Sequence, residues 1–133
     1  KAGVLLTKVE YVKKGSTKNF AIIDAAMNDL MRPSLYNAYH DIINTSQSSE
    51  SSAQFDVVGP VCETGDFIGK DRMLSLEEGN VLAVVDVGAY GMSMSSNYNS
   101  RVRPVELLVD ENKIIEIRKR ENFNDLIRGE SII

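Results

Sequence analysis

Short apolar stretches, each cut off after a few residues by turn formers, most limit what this 133-residue chain can fold into. Lys8-Val9-Glu10-Tyr11-Val12-Lys13 alternates polar and apolar residues, the period of a half-buried strand. Lys14-Gly15-Ser16 then supplies a turn into a second strand over residues 19–24, so the opening reads as a hairpin. Residues 54–58 read as another strand, and the continuous apolar run over 81–87 as a buried one. Residues 102–109 and 113–117 flank Asp110-Glu111-Asn112, which is hairpin chemistry. Helix is scarce. Pro33 suits the first turn of a helix with 34–40 as its body, and 121–127 suits a last short one. Residues 44–52, rich in serine, form an exposed loop. This pattern predicts an all-β protein, a closed or sandwiched antiparallel structure with one or two short helices.

A chain of this length reads as one domain that buries roughly two-thirds of its unfolded surface. Lys and Arg number 15 against 19 Asp and Glu, a net charge of -4. With no basic stripe to neutralise phosphates, neither nucleic acid nor an anionic membrane is expected as partner. There is no apolar run near the length of a membrane span and no signal-peptide pattern. The single cysteine forms no internal disulfide, which suits a reducing cytoplasm. The start at Lys1, already close to strand-like sequence, reads as a cut through a longer protein.

Three segments carry candidate chemistry. Gly59-Pro60-Val61-Cys62-Glu63-Thr64-Gly65-Asp66 sets the lone thiol beside a carboxylate among turn formers, hence in a tight loop. A thiol held there is a candidate proton donor, and Glu63 can grip an ammonium group. Asp66, at the loop's end, reads as a brace for the turn. In Met27-Asn28-Asp29-Leu30-Met31-Arg32-Pro33-Ser34-Leu35-Tyr36-Asn37-Ala38-Tyr39-His40, Arg32 and Tyr36 lie four apart on one helix face, where guanidinium and phenol can converge on a carboxylate. In Asp86-Val87-Gly88-Ala89-Tyr90-Gly91-Met92-Ser93-Met94, small neighbours let a ligand approach closely around Tyr90, whose hydroxyl can bond a phosphate or carboxylate. Each has a plainer reading: an inert cysteine, a glutamate in water, a solvated arginine, a core tyrosine, a tyrosine packed at a strand end. His40, the only histidine, lacks Cys or His companions, so no metal site is expected and it reads as a structural residue at a helix end.

Taken together, and continued by Ser96-Asn97-Tyr98-Asn99-Ser100-Arg101, these segments resemble the C-terminal domain of the diaminopimelate decarboxylase family of pyridoxal-phosphate enzymes, over residues 4–117. The resemblance implies a Greek-key β-barrel-like domain, here residues 1–133, that packs against an N-terminal TIM barrel. It implies that Arg32 and Tyr36 bind the substrate's distal carboxylate and that Glu63 holds its distal ammonium. It further implies that Cys62 is the proton donor and that Tyr90 contacts both cofactor and substrate. Cys62 and Glu63 are expected to enter the active site of the partner subunit in a homodimer. The implied reaction converts meso-2,6-diaminopimelate to L-lysine and carbon dioxide. One departure stands out: Ala26 occupies a position where the family usually has glycine, which strains the turn if that position needs a positive φ.

The chain shows no Gly-rich phosphate cradle and no motif resembling a cofactor lysine. In the family these belong to the N-terminal barrel, so residues 1–133 are expected to supply substrate recognition and a proton but no decarboxylation alone. A same-fold decarboxylase of ornithine, arginine or carboxynorspermidine is the alternative. Ornithine carries no distal carboxylate for Arg32 and Tyr36 to hold, and relatives acting on it typically carry Asp after the cysteine. A non-catalytic β-barrel interaction module is the alternative from a different class.

Overall fold

Alternating exposure along Val4–Lys13 (β1), with Thr7 and Val9 turned inward, marks the strand around which the first part of the molecule is built. The computed structural model describes residues 2–133, so Lys1 and the expectation attached to it lie outside the described residues. The chain divides into two compact units, Lys1–Ser95 and Ser96–Ile133.

In the first unit, β1 is flanked by β2 (Asn19–Ile23) and by β6 (Val81–Val85), both antiparallel to it. β3 (Ile42–Asn44) adds to β6, while β4 (Ala53–Val58) and β5 (Phe67–Leu74) extend the other side. The order is β3-β6-β1-β2-β4-β5, and the two end strands, β3 and β5, lie against one another. The sheet therefore curls into the barrel-like form expected. One pairing departs from the antiparallel rule: β2 and β4 run parallel, Ala21 opposite Val57. Inside the curl, Val9, Ile23, Leu30, Phe55, Val57, Ile68, Leu76, Leu82 and Val84 form one apolar core. Burial of such side chains contributes about 1.5–3 kcal/mol each, the main force holding the unit together.

Two strands escaped the sequence pattern. β5 is interrupted by Gly69-Lys70-Asp71, with Asp71 at φ 56, which breaks its alternation; β3 is too short to show a period. Helix α1 (Arg32–Tyr36) carries Pro33 in its first turn as expected but stops earlier than residue 40. Asn37 turns left-handed at φ 52, and its N–H closes onto the carbonyl of Arg32. β6 ends at Val85, because Asp86 is left-handed at φ 60, and the chain continues as α2 (Gly88–Met94), where no helix was expected. Gly91 of that helix is buried, and its N–H donates to the Val87 carbonyl at 2.8 Å, so the helix forms despite the poor propensity of glycine. Ala26 is buried and not among the described residues with positive φ, so alanine sits there without backbone strain.

The second unit holds a 3-10 turn at Tyr98–Ser100, the predicted hairpin β7 (Glu106–Asp110) and β8 (Lys113–Arg118), and helix α3 (Phe123–Leu126). The Asn122 side chain accepts from the Asn124 N–H, and Asp125 reaches back to the Asn122 N–H, a reciprocal cap. No described helix is long and apolar enough to cross a membrane.

Candidate functional site

The turn that leads into α1 is closed by its own polar groups: the Ala26 N–H donates to Asp29 Oδ2 at 2.9 Å, and the Asp29 N–H donates back to the Ala26 carbonyl at 2.9 Å. This fixes where α1 starts and so where Arg32, half-buried, and Tyr36, 63% exposed, project.

Cys62 and Glu63 sit at the exposed tip of the loop between β4 and β5. The loop is held from beneath by Asp66, which is buried. Its carboxylate accepts from the Val61 N–H at 2.6 Å and from the Met27 N–H at 2.7 Å, while its carbonyl accepts from the Gly59 N–H at 3.1 Å. The brace read from sequence is therefore also a bridge, tying the cysteine loop to the segment that precedes α1. Gly59 makes room for it: a Cβ there would lie 2.4 Å from Asp66 Oδ2. Ser34, on α1, adds a second tie by donating its hydroxyl to the Gly65 carbonyl.

Tyr90 stands in α2 rather than at a strand end, 60% exposed, and the Arg32 guanidinium carbon lies 5.7 Å from its ring centroid. That is within cation–π range, so two segments far apart in sequence share one cation and one ring. The start of α2 is anchored by the Gly88 N–H donating to the Ala2 carbonyl at 2.7 Å, an approach that a Cβ on Gly88, 2.8 Å from that oxygen, would block.

His40 is not at a helix end: it lies beyond α1, buried, with Nδ1 3.0 Å from the Val85 carbonyl oxygen. Its neighbour Tyr39 stacks on Arg72 at 3.7 Å. A hydrogen bond with Asp41 holds the Tyr39 phenol above its ordinary range, opposed by the nearby Arg72 charge.

A cavity of about 450 Å³ beside the cysteine loop is lined by Lys18, Asp56, Glu63, Thr64, Phe67 and Lys70 among others. It includes Glu63 but neither Cys62, Arg32 nor Tyr90, so this cavity is not where the candidate groups gather. Arg32 and Tyr90 are brought together, and the loop of Cys62 and Glu63 is fastened to the helix of Arg32 and Tyr36. Ser34 gave no sequence signal for its tie, since a serine on a short helix reads as solvated. Toward pyridoxal phosphate, the exposed Tyr90 phenol beside a guanidinium offers donors that fit one edge of an anionic molecule, not a whole cradle.

Residues 1–88 match the family model described as the pyridoxal-dependent decarboxylase C-terminal sheet domain. The chain belongs to this family. Among members of the pyridoxal-dependent decarboxylases, it is 54% identical over 132 residues to the diaminopimelate decarboxylase of Pseudomonas fluorescens, covering 99% of the chain and 32% of that protein. It is 56% identical to that of Vibrio cholerae, with the same coverage. The crystal structure of diaminopimelate decarboxylase from M. jannaschii in co-complex with L-lysine superposes with a TM-score of 0.92 at 44% identity, over 98% of this chain and 30% of that one. The Helicobacter pylori enzyme complexed with L-lysine gives 0.86 at 51%, over 94% and 31%. A lysine/ornithine decarboxylase from Vibrio vulnificus, at 18% identity and 0.66, shares the fold alone. The match to diaminopimelate decarboxylases does not favour the ornithine alternative. The chain spans about a third of the length of the curated relatives it matches.

Proposed function

We propose that residues 1–133 are the substrate-recognition and dimerisation domain of a pyridoxal-phosphate-dependent diaminopimelate decarboxylase, which converts meso-2,6-diaminopimelate to L-lysine and carbon dioxide in the cytoplasm. An N-terminal barrel supplies the cofactor lysine and phosphate site. The observation that carries the reading is the convergence of Arg32 on Tyr90, with the Cys62 loop tied to the same helix by Ser34 and Asp66.

Arg32 and Tyr36 bind the distal carboxylate, with the Tyr90 ring orienting the guanidinium. A charge-assisted bond from Arg is about twice as strong as a neutral one, so this end sets substrate choice. Glu63 accepts from the distal ammonium. Tyr90 also holds the cofactor's edge, and pyridoxal phosphate, when bound, supplies the electron sink for loss of carbon dioxide. Cys62 then delivers its Sγ proton to the carbon that lost the carboxyl, a step an exposed loop tip can perform on a site reaching in from outside. An exposed Cys62 loop is compatible with a homodimer of shared sites, and the exposed Leu107, Val109, Ile114 and Ile117 of the second unit support assembly with further surface. The chain alone retains no stoichiometric cofactor after desalting.

The test uses the intact enzyme. Cys62→Ala slows turnover by about 10²–10⁴-fold while cofactor absorbance is retained. Mixed with a variant altered at the barrel's cofactor lysine, with subunit exchange checked by tagged co-purification, it recovers up to about a quarter of wild-type turnover, because half the dimers are mixed and each has one good site. Verified exchange without recovery overturns the shared site.

A further inference from the structure

His40 is 2% exposed, and the partner of its Nδ1 is the carbonyl of Val85, which only accepts. Nδ1 therefore carries the proton and the neutral ring's Nε2 is an acceptor. That Nε2 is buried with no hydrogen-bond partner. An orphaned acceptor is a cost that an apolar side chain of similar size avoids, so the imidazole is explained by what Nδ1 does and not by packing.

The Nδ1 bond closes a joint. The Val85 N–H donates to the Asp41 carbonyl at 3.0 Å, and β3 begins at the next residue with Ile42 opposite Val84. The chain before the joint runs directly from α1, whose Arg32 carbonyl accepts from the N–H groups of both Asn37 and Ala38. The chain after the joint turns at Asp86 into α2 and Tyr90. The two halves that meet as Arg32 over Tyr90 are thus fastened to each other at His40 and Val85, with His40 providing the side-chain bond.

We infer that His40 is a positioning residue for the distal-carboxylate clamp: its bond to Val85 holds α1 and α2 at the separation that brings Arg32 to Tyr90. The inference rests on the function proposed above, in which Arg32 binds the substrate's far end. Cofactor capture belongs mainly to the barrel and the proton to Cys62, neither of which hangs on this joint, so the larger effect falls on KM.

The full-length enzyme tests this with two substitutions of like polarity. His40→Asn places an amide N–H near the position of Nδ1 and keeps the Val85 bond; His40→Gln places it near Nε2 and loses that bond. His40→Gln is expected to raise KM for diaminopimelate roughly tenfold, as a displaced clamp does, with kcat within about twofold and cofactor absorbance unchanged. His40→Asn is expected to retain most of the wild-type KM. In an Arg32→Ala background the effect of His40→Gln should nearly vanish, since what it positions has gone. An unchanged KM in His40→Gln beside an impaired Arg32→Ala overturns the role of His40 alone. So does a KM rise that persists undiminished in the Arg32→Ala background, or an equal loss in both His40 variants that tracks a lowered Tm. An Arg32→Ala enzyme with unchanged KM overturns the clamp itself, and this inference with it.

Discussion

The two units of this chain are held together by opposite means. Lys1–Ser95 wraps a sheet around buried apolar side chains, and every buried hydrophobic residue described belongs to it. Ser96–Ile133 buries none: Leu107, Leu108, Val109, Ile114, Ile115 and Ile117 are exposed on a two-stranded ribbon, and Phe123 is exposed on α3. Its order comes from polar stitching. Glu121 accepts from the Arg103 backbone at 2.8 Å, the Arg103 guanidinium at 2.9 Å and the Asn97 amide at 2.6 Å. A lone hairpin is marginal in water, so such a knot is what keeps the second unit in register. The first unit can carry a site because its frame is stabilised independently of the site, whereas the second has no interior to lend.

Substitutions can break this contrast. The largest effect is expected at Phe55, the bulkiest of the fully buried side chains: Phe55→Ala should destabilise the first unit by about 3–5 kcal/mol in urea titrations followed by circular dichroism. Next comes Asp66→Ala, which leaves the Met27 and Val61 N–H groups without their acceptor. A loss of about 1–3 kcal/mol is expected, with faster amide exchange confined to the loop of Cys62 and the approach to α1.

The polar knot should answer to acid instead. Its hydrogen bonds, that from the Arg103 backbone foremost, hold the Glu121 carboxyl down from 4.5 to about 2. A carboxyl with a lowered folded pKa adds stability above its unfolded value and loses it as pH falls through the folded one. Amide protection around 97–121 should hold from pH 8 to 5 and fade between about 4.5 and 2. In Glu121→Gln that acid dependence should disappear; a protection profile in the variant that still follows pH would place the knot elsewhere. Smallest of all, Val109→Thr, on the exposed ribbon, should move stability by no more than about 0.5 kcal/mol in the isolated chain. A larger loss would mean that the ribbon is buried there and that the contrast between the units is false.

How much of this was legible in the sequence follows from the range of each interaction. The opening and closing hairpins could be read because their turns and alternation are local, and the first turn of α1 because Pro33 marks it. Asp66 was legible as a brace, since Gly59 and Gly65 frame its turn, but not as a bridge, because its second partner, Met27, lies across the fold. α2 was missed because its anchor is remote in sequence: Gly-Ala-Tyr-Gly reads as a turn, and the Gly88 N–H bond to the Ala2 carbonyl that fixes the helix start leaves no local signal. The meeting of Arg32 with Tyr90 and the joint at His40 depend on strand pairing between β3 and β6, which no local pattern records.

The parallel pairing of β2 with β4 has a kinetic consequence. Parallel neighbours cannot be joined by a tight turn; the connection here is the long excursion over residues 24–52, which contains α1 and β3. Closing that loop loses chain entropy before any β2–β4 hydrogen bond compensates for it, which places this contact among the slow ones in folding. Arg32 and Tyr36 ride inside the excursion, so during refolding they reach their places only as it closes. The recovery of substrate affinity therefore lags behind the formation of the β1–β2 hairpin, whose contacts are close in sequence.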